Sequence, residues 1–497
     1  MALPRSGVAG LAVVGLGASI APLDFAVNIA FPAMTAAFEL DTRAIRWVAV
    51  CYVLVYGSLM LAFGALGDRI GHLRVFRAGL LLASISFIAC ALAPDYGWLL
   101  AARAVQGVAV ALTLSCAPAL ATRLFAEDKR TWALSVFAAI GALAGVIAPL
   151  AGGAAIAVLG WPGVYWMRVP IALGAWLMLP VVARRLPKLI AAPSGAFDAT
   201  AMVLLAASMA MLLLAPALLE AGTSSSPSVL LALAGGGLML GFVLRQRRSA
   251  VPFLPHALLR DAGFVWPNLV AVMVQLTSFS VPLMLPYFYT RVLGWNTLAT
   301  GALLACWGAG TLAGSAWAPR LASAVGVRLA ALCGGLLAAF GLVTIALWPQ
   351  APSVFLMVTC LLVQGVGLGL YQVAYTDLVV AALPLHQRGV AGSLTMVTRT
   401  VGIVLGASLV TWAFARGESA AHASAQAVAA TATQSATTAT ITVASGAEAA
   451  AATAFMTGFH TVFAGAAAAL LLCFALTALR RGVWFNGNWR ARHDSNV

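Results

Sequence analysis

Charged residues are scarce in this chain. Of its 497 residues, 8% are Asp, Glu, Lys or Arg, whereas 62% are hydrophobic. This composition excludes a water-soluble globular protein, because too few polar residues are available to cover its surface. A membrane-spanning helix needs about 20 apolar residues, so the apolar content suffices for roughly fourteen spans. The sequence therefore predicts an all-α polytopic membrane protein.

The signatures of common catalytic and nucleotide-binding sites are missing from the sequence. No GxxxxGK[ST] loop occurs, and the two lysines, Lys129 and Lys188, lie outside glycine-rich segments, so ATP is not expected to drive the protein. There is no HExxH, no GxSxG and no Cys/His cluster. The seven cysteines lie in apolar runs without CxxC spacing, which is typical of small core residues. We therefore expect no enzyme, no cofactor and no metal site.

Apolar runs divide the chain into fourteen predicted spans. Spans 7 and 8 are the least regular, so twelve spans plus a re-entrant pair stays an alternative. The first run is too long for a cleavable signal peptide and is interpreted as span 1. The predicted spans are 8–36, 45–66, 74–94, 97–120, 131–157, 162–183, 199–219, 228–244, 264–289, 298–319, 328–348, 353–381, 389–415 and 455–479.

The net charge of +14 is distributed over the loops between these spans and forms no basic stripe, so nucleic acid is not an expected partner. Of the 28 Lys and Arg residues, 21 fall on the side that carries both termini, 4 on the opposite side and 3 within spans. The positive-inside rule then places both termini in the cytoplasm. We expect a multi-pass protein of a bacterial inner membrane.

An internal repeat divides the chain into related parts. AVQGVAVAL (104–112) in span 4 returns as LVQGVGLGL (362–370) in span 12, and GDRIGHLR (67–74) has a weaker counterpart in SAVGVR (323–328). Repeated halves with a substrate site between them near the membrane midplane are typical of transporters. The predicted domains are an N-terminal six-helix half (1–183), a linker with two additional helices (184–261) and a C-terminal six-helix half (262–497). The last includes an Ala/Ser/Thr-rich external loop near 416–454, predicted to be flexible or partly helical.

Four motifs resemble those of the major facilitator superfamily, and in particular its fourteen-span drug:proton antiporters. They are PLDFAVNIAFPAM (22–34), GALGDRIGHLR (64–74), LLAARAVQGVAVA (99–111) and GALAGVIAPLAGG (141–153). Each motif alone is weak, but the four occur in the family's order. The resemblance implies the major facilitator fold, with two six-helix halves plus two linker helices, and proton-driven efflux of drugs or antibiotics.

The loop after span 2 matches the superfamily's loop signature. Gly67 and Gly71 are expected to permit a tight turn, and Asp68 to cap the start of span 3. The resemblance implies a charge latch that holds one transporter conformation, although simple anchoring of helix ends at the interface is an alternative. His72 stands where the family usually has arginine. The predicted gating residues are Gly64, Gly67, Asp68, Arg69, Gly71 and Arg74.

Small residues recur along span 5 at nearly four-residue spacing. This spacing predicts one helix face that another helix can approach closely, with a bend at the proline. The resemblance links the face to antiport, while a packing seam without a role in transport stays an alternative. Ala148 replaces the family's usual glycine. The predicted antiporter-helix residues are Gly141, Gly145, Pro149, Gly152 and Gly153.

Asp24 in span 1 is the main candidate for proton coupling, and Asn28, one turn later, faces the same direction. Burial disfavours the ionised carboxylate, so such a group can exchange protons. A permanent pair with an arginine, or hydration near the outer interface, are the alternatives. Arg103 in span 4 costs about 2.5–3.5 kcal/mol at a helix centre. We expect Arg103, together with Gln106, to face the central cavity at the depth of Asp24. Leu361 occupies the place of Arg103 in the repeat, so the arginine belongs to one half only, which fits a site residue better than a scaffold residue.

Other polar residues in the spans are weaker candidates. Gln364 mirrors Gln106 in the repeat, while Asp377 and Arg399 either pair or line the cavity. Arg168 replaces an asparagine that the family often has, and it is expected to snorkel to the outer interface. Three arginines within the spans against two carboxylates favour neutral or anionic substrates over lipophilic cations.

The predicted function is export of small amphipathic compounds, such as drugs, antibiotics or toxic metabolites, in exchange for protons by alternating access. A major facilitator importer or facilitator of a metabolite is one alternative. A non-transporting membrane sensor is another, but a sensor would be expected to carry a sizeable soluble domain. The expected partners are a small-molecule substrate, protons and the lipid bilayer. We expect a monomer, and a periplasmic adaptor is left open as a partner.

Overall fold

A computed structural model of the chain describes residues 5–41, 44–125, 130–184, 199–220, 225–248, 262–382, 388–433, 443–479 and 484. These residues form helices joined by short turns, with no strand among them. The predicted all-α polytopic architecture is confirmed. It follows from the long apolar runs, because in lipid a helix satisfies its own backbone hydrogen bonds.

The first six predicted spans, here called the N-half, contain eight helical segments. Spans 1 and 6 are each divided into two segments, while the other four spans are single helices. The segments are α1 (Arg5–Ala18), α2 (Phe25–Ala37), α3 (Arg46–Ile70), α4 (His72–Ala91), α5 (Tyr96–Arg123), α6 (Arg130–Leu159), α7 (Gly163–Trp166) and α8 (Val169–Ala183).

The remaining helices form an intervening pair and the C-half. The pair, α9 (Ala199–Glu220) and α10 (Ser225–Arg248), packs together and corresponds to predicted spans 7 and 8. The C-half consists of α11 (Ala262–Ser278), α12 (Ser280–Tyr287), α13 (Thr297–Val325), α14 (Val327–Ala346), α15 (Val354–Ala382), α16 (Arg388–Thr433) and α17 (Val443–Ala478).

Eleven helical stretches among the described residues are long and apolar enough to cross a membrane. The apolar parts of α3 and α9, Arg46–Met60 and Val203–Leu212, are shorter. The chain is therefore a multi-pass membrane protein, while the count of fourteen crossings and the domain boundaries stay predictions.

Part of the predicted external loop is helical. The helix α16 continues to Thr433 and α17 begins at Val443, so both extend into the predicted loop at 416–454. The two helices approach closely where this extension starts, because a Cβ on Gly417 would lie 2.7 Å from the Cα of Gly458. Residues 434–442 lie outside the described residues.

Two glycines at positive φ make equivalent turns in the two halves. Gly71 (φ 101°, ψ 125°) separates α3 from α4, and Gly326 (φ 89°, ψ 151°) separates α13 from α14. The alignment of GDRIGHLR with SAVGVR in the internal repeat places these two glycines at equivalent positions. Asp68 does not cap the next helix as predicted: α3 continues to Ile70, and Gly71 is the N-cap without a side-chain hydrogen bond. A fully helical connection up to the glycine leaves no extended residue at position 68 to act as a cap.

The turn at Gly71 leads to a testable prediction about thermal stability. Gly71→Ala should lower the thermal stability of the purified protein, because its backbone conformation costs about 1–3 kcal/mol for a residue with a Cβ. The measurement is thermal unfolding in detergent. Gly174→Ala, in helix α8 with no atom within 4 Å of the added Cβ, is the control. An equal melting temperature for Gly71→Ala and the parent protein would contradict the expected backbone strain of an alanine at this position.

The repeated glycines also occupy equivalent packing positions. A Cβ on Gly107 of α5 would lie 2.8 Å from the Tyr52 carbonyl oxygen of α3. Its counterpart in the repeat, Gly365 of α15, lies against the Trp307 carbonyl of α13. Each half therefore uses the same glycine to bring its fourth span against its second.

The two halves are in contact near the loop that joins α2 to α3, here called the first-loop end. The Thr35 and Tyr287 hydroxyls are 2.7 Å apart, and Arg46 Nη1 donates to Thr411 Oγ1 at 2.8 Å. The opposite end, which carries Gly71 and Gly326, is called the glycine-turn end.

Candidate functional site

Asp24 lies at a break in the first predicted span. Helix α1 ends at Ala18, a short 3-10 turn covers Pro22–Asp24, and α2 begins at Phe25. Pro22 cannot donate a backbone hydrogen bond, so it disfavours a continuous helix here. The sequence predicted one uninterrupted span. The break instead places the Asp24 carboxylate between the helices of the N-half, where broken helices commonly form binding sites in transporters.

Arg103 of α5 binds Asp24 through both carboxylate oxygens. Its Nη1 donates to Oδ1 at 2.6 Å and its Nη2 donates to Oδ2 at 2.9 Å. The Nε atom donates to the Val48 carbonyl at 2.8 Å, and the guanidinium lies 4.4 Å from the Tyr52 ring centroid. The two charges therefore meet at one depth, as predicted from their positions along the two spans. Bidentate geometry of this kind is among the strongest charge-assisted contacts.

Gln106, one turn after Arg103, completes this arrangement. Its Nε2 donates to Asp24 Oδ1 at 2.9 Å, and its Oε1 accepts from Arg103 Nη1 at 2.9 Å. The predicted candidate Asn28 is buried but makes no hydrogen bond with this group in the part of the chain described. The structure thus joins Gln106, and not Asn28, to the carboxylate.

Arg168 is a second cation on Asp24, and the prediction that it snorkels to the interface is wrong. It lies at the junction of α7 and α8 with 0% exposure, and its Nη1 donates to Asp24 Oδ1 at 2.6 Å. Its Nε donates to the Val164 carbonyl at 2.9 Å. The rings of Phe87 and Tyr165 lie 4.6 and 5.1 Å from the guanidinium. An acidic partner and two aromatic faces offset the cost of burying it.

These four residues, Asp24, Arg103, Gln106 and Arg168, are called the Asp24 cluster. Both guanidiniums are fully buried, whereas 13% of the Asp24 side chain is exposed. Two cations and one carboxylate leave the cluster with a formal charge of +1 when Asp24 is ionised. In the sequence, the second cation is indicated by an arginine at position 168, where the family often has an asparagine.

A tryptophan of the C-half contacts the residue that follows Asp24 in the chain. The rings of Phe25 and Trp307 meet edge to face at 5.8 Å, and Phe25 directly follows Asp24. Trp307 Nε1 donates to Gln364 Oε1, and Gln364 Nε2 donates to Ser278 Oγ at 3.1 Å. Gln364 therefore occupies a position in the C-half equivalent to that of Gln106, but it binds an indole. Nothing in the sequence distinguished Trp307 from other aromatic residues of the spans.

Asp377 and Arg399 do not join either group. Asp377 is exposed near the end of α15, Arg399 is half-buried in α16, and no ion pair connects these two described residues. Of the two alternatives for them, pairing is therefore excluded in this conformation.

The glycines of α6 make contacts that change along the helix. A Cβ on Gly152 would lie 2.7 Å from Ala26 Cβ in α2, and a Cβ on Gly153 would lie 2.5 Å from the Thr297 carbonyl of the C-half. The Pro149 carbonyl lies against Gly301, also in the C-half. A Cβ on Gly145 would have only Pro22 Cβ near it, at 3.8 Å, but the Gly145 carbonyl lies against Gly308 of the C-half. A Cβ on Gly141 would have no atom within 4 Å.

Close packing of α6 against the C-half therefore runs from Gly153 to Gly145. At Gly141 the predicted close approach is absent among the described residues in this conformation.

The gating residues lie around the Gly71 turn. A Cβ on Gly67 would lie 2.7 Å from Cys116 Sγ, so this glycine permits close contact with α5. For Gly64 the nearest atom is Ser115 Cβ at 3.9 Å. Arg74 Nη1 donates to the Ile70 carbonyl at 3.4 Å. Arg69 is exposed in the last turn of α3. The side chain of Asp68 lies outside the described residues.

Repeated helical halves in contact with each other and a buried charged cluster at a broken helix are features of a membrane transporter. The family assignment agrees with this class. The chain belongs to the Major Facilitator Superfamily, whose family model matches residues 9–407. It is therefore a transporter and not an enzyme.

Named relatives and solved structures share most of the chain. The riboflavin transporter RibZ of Clostridioides difficile is 23% identical over 408 residues, covering 82% of this chain and 88% of the relative. The puromycin resistance protein pur8 of Streptomyces alboniger is 28% identical over 421 residues, covering 83% and 82%. A bacterial homologue of the human lysosomal transporter Spinster, in an inward-facing and unoccupied conformation, matches with a TM-score of 0.67, 16% identity, and coverage of 95% and 96%. This structural likeness shows the fold alone.

Proposed function

We propose that the chain is a secondary active transporter of the bacterial inner membrane that exports small amphipathic compounds in exchange for protons. The observation that carries this proposal is Asp24, a carboxylate buried within the predicted membrane spans that binds two guanidiniums and retains an exposed edge. Proton exchange at such a group is a common basis of coupling in transporters.

The contacts between the halves support an alternating-access cycle. At the first-loop end the halves touch through Thr35 and Tyr287 and through Gly153 and Thr297. Within α6, a Cβ on Gly141 would meet no described atom within 4 Å. A contact between the halves at one end is what such a cycle makes and breaks. Given the arginine distribution, we propose that the first-loop end faces the periplasm and that the termini are cytoplasmic.

The relatives support export without fixing the compound. One is named a puromycin resistance protein, which favours efflux of an amphipathic compound. Another is named a riboflavin transporter, so transport of a metabolite is the second candidate. Both functions use the same site, and the direction of proton-coupled movement separates them.

The proposal is tested with purified protein in proteoliposomes that carry an imposed pH gradient. Compounds with aromatic groups of the same size but different charge are added on one side of the membrane. Their movement across the membrane is followed together with the lumenal pH. We expect a compound to move against its concentration gradient while protons move in the opposite direction. Compound and proton movement in the same direction, or no dependence on the gradient, would contradict exchange.

The gating role of the loop is a separate prediction. Asp68→Asn should reduce export severalfold while the protein is inserted and folded, because the latch implied by the family's motif needs a charge at this position. The measurement is export in proteoliposomes at matched protein content. Normal export by Asp68→Asn would contradict the latch and favour the alternative, in which the loop only anchors helix ends at the interface.

A further inference from the structure

Two donor groups near the Asp24 cluster have no acceptor among the described residues. Arg168 Nη2 and the Tyr165 hydroxyl are fully buried and make no hydrogen bond there. They lie three residues apart at the junction of α7 and α8, with the Arg168 guanidinium 5.1 Å from the Tyr165 ring. Buried donors are normally satisfied, and an unsatisfied charged donor is especially costly. These donors therefore indicate an acceptor that is supplied from elsewhere.

The charge of the cluster points to the same kind of partner. Arg103 already binds both Asp24 oxygens, and Gln106 adds a third hydrogen bond. A structural ion pair would be complete at this stage. Arg168 adds a second buried positive charge, and its aromatic neighbours attract it without neutralising it. Asp24 neutralises only one of the two guanidiniums that it binds, and an uncompensated buried charge is disfavoured, so a negative group would complete the site.

From these contacts we infer that the Asp24 cluster binds a carboxylate or phenolate group of the transported compound, and that Arg168 is the residue that sets this preference. The inference rests on the proposed transport function, because it names the class of compound for the same site. One negative group brings the cluster from +1 to neutrality with Asp24 ionised. It also supplies the acceptor that Arg168 Nη2 lacks.

The position of Asp24 gives the compound a route to the guanidiniums. Asp24 is the partly exposed member of the cluster, and Phe25, the next residue in the chain, meets Trp307 at a contact between the halves. An aromatic or apolar body can pack against these rings while its anionic group competes with Asp24 for the arginine donors. A cationic group is disfavoured, because both Asp24 oxygens are already occupied and the cluster is positive.

The test compares three probes of similar shape that differ in charge. They are 1-naphthoate, its neutral primary amide and (1-naphthylmethyl)trimethylammonium. Binding to the purified full-length protein is measured by calorimetry and by the shift in melting temperature. We expect 1-naphthoate to bind about 10-fold more tightly, or more, than either other probe, which corresponds to one charge-assisted hydrogen bond.

Substitution at position 168 tests the assigned residue. Arg168→Gln should weaken 1-naphthoate binding about 10- to 100-fold, whereas Arg168→Lys should retain part of the preference for the anion. Arg168→Gln is expected to fold because the bidentate Asp24–Arg103 pair is left intact. Arg416→Gln, at an exposed arginine over the Trp412 ring, is the matched control and should bind like the parent protein.

Each contrary result overturns the assignment. The inference is wrong if the amide or the ammonium probe binds as tightly as 1-naphthoate, if 1-naphthoate does not bind, or if Arg168→Gln binds it unchanged. Should Arg168→Gln fail to fold, the probe series on the parent protein and on Arg168→Lys decides. Counterflow in proteoliposomes separates the two proposals: binding of the anion without counterflow contradicts transport, and counterflow of neutral compounds independent of Arg168 contradicts the anion site.

Discussion

Asp24→Asn is expected to abolish accumulation driven by a pH gradient. The asparagine cannot exchange a proton, and it leaves two fully buried guanidiniums without their counter-ion. One proton moving across 100 mV provides about 2.3 kcal/mol, enough for roughly 50-fold accumulation. We therefore expect the concentration ratio in proteoliposomes to fall from tens to about one, while downhill exchange is retained.

The loss must be separated from loss of folding, because an uncompensated buried charge can cost about 3–5 kcal/mol. Asp24→Asn combined with Arg168→Gln removes one charge of each sign and leaves the cluster at +1. Because one buried guanidinium instead of two is then without a counter-ion, this double variant should recover part of the melting temperature but not the gradient-driven accumulation. Uphill transport by Asp24→Asn at normal expression would place proton coupling elsewhere, with Asp377 as the next candidate.

Gly153→Leu should have the second large effect, a loss of transport of about 10-fold or more through failure to close the first-loop end. The backbone of Thr297 and Leu298 lies where the new side chain would start, at 2.5 and 3.1 Å. Overpacking of this kind costs about 1–3 kcal/mol, which corresponds to a shift of about 5- to 150-fold between two conformations. Transport in proteoliposomes and protease accessibility of the first-loop end are the measurements.

The matched control for this variant is Gly174→Leu in α8, where no atom lies within 4 Å of an added Cβ. It introduces the same side chain into the same half of the protein and should leave transport near the parent level. Equal transport by the two variants would show that closure at Gly153 is not needed in the cycle.

The sequence was sufficient to predict the fold and the central ion pair. Composition alone required membrane helices, and the repeat identified equivalent positions that the structure shows as the turns at Gly71 and Gly326. Arg103 could be matched to Asp24 because an arginine in a span needs a partner at its own depth. Leu361, its counterpart in the repeat, is fully buried and apolar.

Other parts of the site could not be predicted because they depend on helix irregularities. The break before Asp24 and the junction at Arg168 change the directions of two side chains that a regular helix would place elsewhere. Arg168 was therefore assigned to the interface on the basis of its position along the span. Trp307 was missed for another reason: its role depends on a contact between distant halves, which hydrophobic periodicity does not encode.

All three charged members of the Asp24 cluster belong to the N-half, so a rocking motion carries them as one charged body. In the proposed exchange the site returns inwards without compound and with a proton on Asp24, so its formal charge is then +2. An electric potential that is negative inside would pull this site towards the cytoplasm, with up to about 4.6 kcal/mol per 100 mV if the whole field is crossed. A site neutralised by an anionic compound, with Asp24 ionised, would not respond to that field. The membrane voltage would then accelerate the return of the protonated carrier and leave the compound-loaded step unaffected, so the turnover of this protein should depend on voltage through its compound-free state.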